Sequence, residues 1–183
     1  INEVTILERV IYQVMGVFNS KNIIVATSTR KKDLAICKIC KKMGIKYYKG
    51  DLNNVAKRYY KILYKFKANS FLRVCADSPF IDPNLINKCI RIFKKRKPDF
   101  LTNVLPRSFP TGQSIEIFNS KIYKTNFNKI KNKRDLEHVT TFFYTHKKKF
   151  NFMNIKNKKN LSKKSMSIDH PNDLKIAKKV LNN

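Results

Sequence analysis

The chain has 183 residues, the length of one ordinary domain, and its 42% of hydrophobic residues lie well above the range of disordered chains. No stretch approaches the ~18 apolar residues of a membrane span, and residues 1–17 carry charges that a signal peptide excludes. The net charge of +28 comes from 40 Lys and Arg residues spread along the chain without a nucleic-acid-binding motif. We therefore predict one cytoplasmic domain over residues 1–183 and expect no nucleic-acid partner, with a basic polyanion-binding domain as the alternative.

Helices and strands alternate along the first half of the chain. Apolar residues at helical spacing from Val4 to Val14 predict an opening helix, and the run NIIVATST predicts a buried strand that leads into a loop. Gly44 is a suitable end for the next helix. The predicted order is helix 4–14, strand 22–29, helix 33–43, strand 45–48, helix 54–66 and strand 71–76.

The second half continues the alternation. Pro83 opens a helix over residues 83–95, followed by strands at 99–104 and 115–118 and a helix at 137–148. Two late strands, 152–155 and 165–168, precede a closing helix at 171–181. Regular alternation predicts an α/β fold with a doubly wound, mostly parallel sheet covered by helices on both faces.

The beginning of the chain departs from this pattern. A sheet of this kind normally opens with a strand and a phosphate-binding turn, whereas this sequence opens on a helix. Its four glycines, at positions 16, 44, 50 and 112, are isolated, so it contains no Gly-rich loop. Either the first strand and the phosphate loop are missing from the residues given, or the protein uses no phosphate loop.

Four cysteines raise the question of metal or redox chemistry. Cys37 and Cys40 form the only close pair, and they fall inside a predicted helix without a second pair or a His at zinc spacing. We therefore predict that these residues, with Cys75 and Cys89, are reduced and at least half-buried thiols.

Two aspartates follow predicted strands directly. Asp77 ends the strand at 71–76 in RVCADSPFIDP, and Asp169 ends the strand at 165–168 in MSIDHPNDL. Ligands of open α/β sheets bind beyond the carboxyl ends of strands, and carboxylates there suit Mg²⁺. The alternative, equally compatible with the spacing, is that each aspartate caps a helix or stabilises a turn.

Ordered segments along the whole chain resemble the cytidylyltransferases of spore-coat polysaccharide synthesis, which are related to the acylneuraminate and CMP-Kdo synthetases. These segments are VATST (25–29), GIKYYKGD (44–51), RYY (58–60), RVCADSPFIDP (73–83), NVLPRSFPTG (103–112), EHVT (137–140) and SIDHPNDL (167–174). The resemblance implies a fold like that of nucleotide-diphospho-sugar transferases. It also implies Mg²⁺-dependent transfer of CMP from CTP to a sugar or sugar acid, with release of pyrophosphate, in surface polysaccharide biosynthesis.

The resemblance also implies roles for individual residues. Asp77 and Asp169 match the catalytic metal ligands. The positions matching the nucleotide site are Ala26, Thr27, Ser28 and Arg73, and those matching the acceptor region are Pro106, Arg107, Gly112, Glu116 and His138. Alternatives remain open for several of these residues. Arg73 and Glu116 could each be part of a structural ion pair, and His138 could make a structural hydrogen bond. Arg58 matches an Arg-Tyr pair of the family, with a solvated position on a helix as its alternative. The expected partners are CTP and a sugar or sugar-acid acceptor. A homodimer is compatible with the sequence.

Several positions depart from the family's pattern. The acceptor loop, expected as Asp-Gly-x-Asp-x-Glu, reads Thr111-Gly112-Gln113-Ser114-Ile115-Glu116, and Asn53 and Asn54 replace residues that are usually acidic. The Gln-Ala-Arg phosphate loop would lie before Ile1, so we predict that the chain as given is weakly active or inactive. The alternative enzyme is a sugar-nucleotide-dependent glycosyltransferase. Such enzymes bind metal through an Asp-x-Asp motif, whereas the corresponding Ala76-Asp77-Ser78 of this chain contains one acidic residue.

Overall fold

The computed structural model describes residues 4–182 as eight α-helices, six β-strands and short 3₁₀ turns. The helices are α1 (Ile6–Met15), α2 (Leu34–Lys42), α3 (Val55–Lys65), α4 (Pro83–Arg96), α5 (Ser120–Asn126), α6 (Lys133–Glu137), α7 (Thr141–Thr145) and α8 (Pro171–Asn182). The strands are β1 (Ile24–Ser28), β2 (Lys46–Gly50), β3 (Ser70–Arg73), β4 (Phe100–Thr102), β5 (Glu116–Asn119) and β6 (Phe152–Asn154).

Short polar side chains fix where the longer helices begin. Thr5 and Glu8 form a capping box at α1, in which each side chain accepts the other residue's main-chain N–H. Asn54 accepts the N–H of Lys57 at the start of α3, and Asp82 accepts the N–H of Asn84 at the start of α4. Pro83 then occupies the first turn of α4, as predicted from the sequence.

The strands form two sheets. β1 and β2 pair in parallel, and the larger sheet has the order β3-β5-β4-β6. β5 runs antiparallel to both of its neighbours, whereas β4 and β6 are parallel. Three strands of the larger sheet therefore share one direction, which confirms the predicted α/β fold with a mostly parallel sheet.

Helices cover both faces of the larger sheet. Phe100 and Phe118 stack with ring centroids 4.8 Å apart and join an aromatic core with α3, α5 and α7. Their neighbours on the same strands, Leu101 and Ile117, point to the opposite face and pack against α4. Alternation along β4 and β5 thus divides two cores between the two faces. A third core joins α1 and α2 to the smaller sheet.

The predicted strand at 165–168 is wrong. Ser165 makes only an isolated bridge to Thr111, and the segment lies against the loop at 105–115 instead of a sheet edge. Its side chains favour local bonds over a ladder, since the Ser165 and Ser167 hydroxyls lie 3.1 Å apart. The predicted strand at 71–76 is also shorter than expected, because β3 ends at Arg73.

The predicted helix at 137–148 is divided into α6, α7 and a 3₁₀ turn at Lys147–Lys149. His138 leaves the helical conformation with ψ of 84°, which allows Val139, 1% exposed, to enter the core. The β-branched run from Val139 to Thr141 lowers helix propensity at the break. The sequence patterns also missed α5, which begins where Asn119 accepts the N–H of Lys121.

All four cysteines are free thiols, buried except for the half-buried Cys75. Burial raises the pKa of both Cys40 and Cys89 to about 11, which keeps these thiols protonated at neutral pH. Within residues 4–182, no helix combines the length and the hydropathy that crossing a membrane requires.

Candidate active site

Three segments converge beyond the carboxyl end of β3: the loop at 74–82, the loop at 105–115 and the segment at 165–169. The main-chain N–H of Ile168 donates to the carbonyl of Asp77 at 2.8 Å, and that of Met166 donates to Thr111 at 2.8 Å. The N–H of Thr111 in turn donates to Lys164 at 3.0 Å. Main-chain hydrogen bonds therefore bring together the two aspartates that the sequence singled out.

Asp77 is half-buried in the first of these segments. Its Oδ1 accepts a hydrogen bond from the hydroxyl of Ser78 at 2.8 Å. The nearby helix α4 is capped by Asp82, so Asp77 does not perform the capping role that remained open from the sequence. Its carboxylate is held by a neighbour of the same loop at the sheet edge where ligands of such folds bind.

Asp169 is exposed at the end of the third segment. Its Oδ2 accepts from the hydroxyl of Ser167 at 2.9 Å. At the start of α8 it is Asp173 whose carboxylate accepts the N–H groups of Asp169 and His170, at 3.0 and 2.8 Å. The helix terminus is thus satisfied by Asp173, and among residues 4–182 the side-chain hydrogen bond of Asp169 is the one from the Ser167 hydroxyl.

The chemistry of these donors fits Mg²⁺ bound together with a substrate. Among the described residues each carboxylate accepts a hydrogen bond from one serine hydroxyl, which leaves further oxygen lone pairs to accept from solvent or a cation. Within residues 4–182 no cluster of three His, Cys, Asp or Glu residues could enclose a metal by itself. Mg²⁺ in proteins commonly uses one or two carboxylates and completes its shell with water and phosphate oxygens.

Gln113 joins the segments, and the sequence patterns did not single it out. Its side-chain NH₂ donates to the carbonyl of Phe80, and its Oε1 accepts the N–H of Asp82 at 3.0 Å. The same NH₂ group lies 3.6 Å from the sulfur of Met166. This buried amide therefore fixes the loop carrying Asp77 relative to the segment carrying Asp169. The one sequence signal for Gln113 is its position within the acceptor loop, residues 111–116.

Gly112 lets the second and third segments touch. Its φ is +88°, and a Cβ at this position would lie 2.6 Å from the carbonyl carbon of Met166 and 2.7 Å from the nitrogen of Ser167. Both the conformation and the contact require glycine. The structure thus gives this predicted acceptor-site residue a packing role.

Ala26, Thr27 and Ser28 form the carboxyl end of β1. The hydroxyl of buried Ser28 donates to Asp33, and Arg30 lies 3.6 Å from the same carboxylate. The hydrogen bond from Ser28, supported by the charge of Arg30, lowers the pKa of Asp33 despite partial desolvation. These contacts order the turn after β1, at the edge where a nucleotide is expected.

Arg58 also reaches this edge, in contrast to the solvated position considered from the sequence. Its guanidinium donates to the carbonyls of Ala26 and Leu52, both at 3.3 Å, and its buried Nε has no hydrogen-bond partner within the part of the chain that the structure describes. A Cβ on Gly50 would lie 2.6 Å from Cγ of Arg58, so the side chain passes directly over that glycine. Burial lowers the pKa of Arg58.

Arg73 and Glu116 are bound to each other on β3 and β5. Arg73 Nη1 contacts Glu116 Oε2, and the hydroxyl of Tyr144 donates to Oε1 of the same carboxylate. Burial opposes the charge on Arg73, but Glu116 outweighs it and raises the pKa of the guanidinium. Burial and then Glu116 raise the pKa of Tyr144. The geometry favours the structural pairing that was left open for both residues.

Arg107 and His138 belong to the acceptor region expected from the sequence. Arg107 Nη2 donates to the hydroxyl of Ser114 at 3.0 Å, and Nη1 lies 3.4 Å from the carbonyl of Pro110. Among residues 4–182, no carboxylate lies within salt-bridge distance of Arg107. His138 is exposed at the end of α6, and its main-chain hydrogen bonds within residues 4–182 run to Arg134 and Thr141, outside the three segments.

The fold is that of the doubly wound α/β proteins, a class in which ligands bind at the carboxyl ends of the strands. The chain belongs to the family described as Cytidylyltransferase, which matches residues 1–182. This membership confirms the resemblance seen in the sequence motifs.

Two curated relatives are 28% identical to the chain. One is an uncharacterised protein of Methanocaldococcus jannaschii, similar over 123 residues, which are 67% of this chain and 49% of the relative. The other is the spore coat polysaccharide biosynthesis protein SpsF of Bacillus subtilis, similar over 127 residues, 68% of this chain and 51% of the relative. The chain therefore spans about half the length of these relatives.

Solved structures agree on the fold. A cytidylyltransferase from Leptospira borgpetersenii superposes with a TM-score of 0.94 at 24% identity, over 98% of this chain and 76% of the other. A CMP-2-keto-3-deoxy-manno-octonic acid synthetase complexed with CTP gives a TM-score of 0.67 at 11% identity, over 97% of this chain and 87% of the other. At these identities the likeness concerns the fold alone.

Proposed function

We propose that the chain is the catalytic domain of an enzyme that transfers CMP from CTP to a hydroxyl of a sugar or sugar acid. The observation that supports the proposal is the hydrogen bond between Ile168 and Asp77, which joins the segment carrying Asp169 to the loop carrying Asp77 in a chain of the cytidylyltransferase family. Asp82 and Asp173 cap the helices that follow, so neither Asp77 nor Asp169 serves as a helix cap.

In this reaction the acceptor oxygen forms a bond to the α-phosphorus of CTP, the bond from that phosphorus to the bridging oxygen breaks, and pyrophosphate leaves. The hydroxyl proton passes to solvent or a base. Negative charge accumulates on the α-phosphate and on the leaving group, so both need compensation. Bound Mg²⁺ would supply Lewis-acid stabilisation of this charge, and Asp77 and Asp169 are the residues that would hold it.

The remaining residues of the site have supporting roles in the proposal. The turn after β1, ordered by Ser28 and Asp33, borders the nucleotide, and Arg58 links Ala26 of β1 to Leu52 in the loop after β2. Arg107 donates to two neutral oxygens, those of Pro110 and Ser114, and its charge suits an acceptor that carries a carboxylate. The relationship to a spore coat polysaccharide biosynthesis protein supports a role in surface polysaccharide synthesis.

We expect slow turnover by the 183 residues alone. The triphosphate of CTP needs several cations or main-chain N–H groups, and the sequence has four isolated glycines but no Gly-rich loop to supply them. CTP binding should therefore be detectable even where turnover is slow, whereas turnover is the measurement that identifies the reaction.

The test combines isothermal titration of CTP with a pyrophosphate-release assay, using neutral sugars and sugar acids as acceptors. Mg²⁺ should strengthen CTP binding, and Asp77→Asn should abolish that strengthening and any pyrophosphate release. Asp82→Asn is the matched control, because it lies in the same loop and retains a side-chain oxygen for the helix cap. Unchanged Mg²⁺ dependence in Asp77→Asn would remove this residue from the mechanism. Absence of CTP binding, with DNA binding that falls steeply with salt, would support a polyanion-binding domain instead.

A further inference from the structure

A polar cleft lies at the amino end of the larger sheet. β3 and β4 both run antiparallel to β5, so they share one direction, and Asp99 precedes β4 at the end opposite to Asp77. At least the length of β3, four residues at ~3.3 Å each, separates the two ends. The cleft has a volume of about 520 Å³ and is bordered by α5, α6 and α7. We call it the amino-end cleft, and its lining includes Asp99, Lys129, Asp135, His146, Lys149 and Phe150.

Asp135 places a buried carboxylate in this cleft. The residue is 5% exposed, and its Oδ2 accepts a hydrogen bond from the side chain of Asn132 at 2.7 Å. Among residues 4–182, its Oδ1 has no hydrogen-bond donor and no cation lies within salt-bridge distance of the carboxylate. Burying a carboxylate without a cation is costly, and hydrogen bonds from a ligand would reduce that cost.

Two further acceptors face the same space. One oxygen of Asp99 accepts the main-chain N–H of Asn151 at 2.9 Å, which leaves the other oxygen to accept from a ligand. Nδ1 of His146 lies 2.8 Å from the carbonyl of Phe142. Because a carbonyl can only accept, Nδ1 carries the proton and Nε2 of the neutral ring is an acceptor.

Two lysines supply the donors. The ammonium of Lys129 donates one hydrogen bond to Asn126 at 2.9 Å and has two N–H bonds left. The side chain of Lys149 has no hydrogen-bond or ion-pair partner in the part of the chain that the structure describes. Two of the chain's 12 acidic residues thus face two lysines, so the cleft is close to neutral in a chain with a net charge of +28.

This lining disfavours several classes of ligand. Within residues 4–182 no cluster of His, Cys, Asp or Glu could hold a metal ion. Two carboxylates oppose the entry of a phosphate or another anion. Strongly apolar ligands bind in mainly apolar pockets, whereas most side chains of this cleft are polar. A hydroxyl group both donates and accepts, so a ligand with several hydroxyls matches the mixture of acceptors and donors.

We propose that the amino-end cleft binds a neutral, hydroxyl-rich molecule, a sugar of one or two rings, at a site separate from the candidate active site. Its hydroxyls donate to the two aspartates and to His146, and they accept from the two lysines. The C–H groups of the sugar ring pack against half-buried Phe150. The volume of the cleft lies within the range of small-molecule sites. This proposal rests on the cleft and is independent of the proposed function.

The test is an NMR titration of the isotope-labelled 183-residue chain, with glucose, galactose and maltose as neutral probes. Glycine and inorganic phosphate are the zwitterionic and anionic probes. We expect at least one sugar, at millimolar concentration, to shift the amide signals of residues 132–149. Lys149→Ala should weaken this binding at least about tenfold, because a hydrogen bond to a charged group is lost. Lys148→Ala is the matched control, since this exposed neighbour is not part of the lining.

A second variant, Asp99→Asn, keeps an oxygen for the N–H of Asn151 but removes the charge, and it should also weaken sugar binding. The spectra without ligand establish that each variant is folded. Sugar-induced shifts that weaken in Lys149→Ala and Asp99→Asn, but not in Lys148→Ala, would support the proposal. Absence of shifts with all three sugars would overturn it, as would equal sugar affinity in the parent chain and Lys149→Ala. Tighter binding of glycine or phosphate than of any sugar would show that the ligand is charged, and the assigned class would be wrong.

Discussion

The main-chain N–H of Ile168 donates to the main-chain carbonyl of Asp77 at 2.8 Å. This bond joins two aspartate-bearing segments that lie far apart in the sequence, and it uses no side-chain atom of either aspartate. The position of the two carboxylates should therefore survive substitution of the carboxylates themselves. Changes of function in such variants can then be attributed to lost charge.

Asp169→Asn should keep the fold and lose the Mg²⁺-dependent part of CTP binding. Asparagine retains an oxygen that can accept from Ser167 but removes the charge that a Mg²⁺ ligand supplies, so we expect an affinity loss of about tenfold or more. Asp173→Asn is the matched control, because it lies four positions on and caps α8. Titrations of CTP with and without Mg²⁺ measure both. Equal losses in the two variants would show that the effect is local charge and not metal binding.

A second expectation concerns the pair formed by Arg73 and Glu116. Glu116→Leu leaves a guanidinium largely buried without its partner, which should cost about 3–5 kcal/mol of unfolding free energy. Adding Arg73→Met should recover much of this loss, since both charges are then absent. Exposed Glu137→Leu should change stability by less than about 0.5 kcal/mol. Urea unfolding compares the parent chain, the single variants Glu116→Leu, Arg73→Met and Glu137→Leu, and the double variant.

The opposite result would restore the roles expected from the family motifs. If Glu116→Leu unfolded like the parent chain but bound acceptor poorly, Glu116 would be a substrate contact and its pairing with Arg73 incidental. The double variant separates these cases, because a structural pair shows coupling between the two substitutions and independent ligand contacts do not.

These residues also mark what the sequence can predict. Alternating strands and helices, Pro83 and the apolar runs depend on local spacing, so the α/β fold and the starts of the longer helices α1–α4 and α8 could be predicted. The partners of Arg73 and Gln113 lie on other elements, and no local pattern indicates which of them a side chain will reach. The short segment at 165–168 resembled a strand because apolar residues alternate with serines, but those serines bond locally and the neighbouring backbone is a loop.

The turn after β1 should weaken in acid because of Asp33. The Ser28 hydroxyl keeps the pKa of this carboxyl below its ordinary 3.8, so the folded state favours the charged form. Such a group stabilises the fold above its unfolded pKa, and the contribution disappears as the pH falls through the lower folded pKa. Asp33→Asn should therefore lower the melting temperature at pH 7, and the difference should shrink below about pH 4. Thermal unfolding across this range measures it.

Ser28→Ala provides the control for that expectation. Without the hydroxyl, the main cause of the lowered pKa is removed, so Asp33→Asn should have a smaller effect in this background. A pH-independent difference between the parent chain and Asp33→Asn would mean that shape, and not charge, makes Asp33 stabilising.

Ser114→Asp should test whether Arg107 faces an acidic acceptor. Ser114 stands where the family motif has an acid, and its hydroxyl accepts from Arg107 Nη2 at 3.0 Å. An aspartate there would form an ion pair with the guanidinium and compete with the carboxylate of a sugar acid. We expect KM for sugar acids to rise several-fold, with KM for CTP unchanged. Ser114→Asn is the control, because it offers a hydrogen bond of similar reach without the charge. Neutral sugars provide the decisive comparison, since an equal rise in their KM would show that Arg107 does not recognise an acceptor carboxylate.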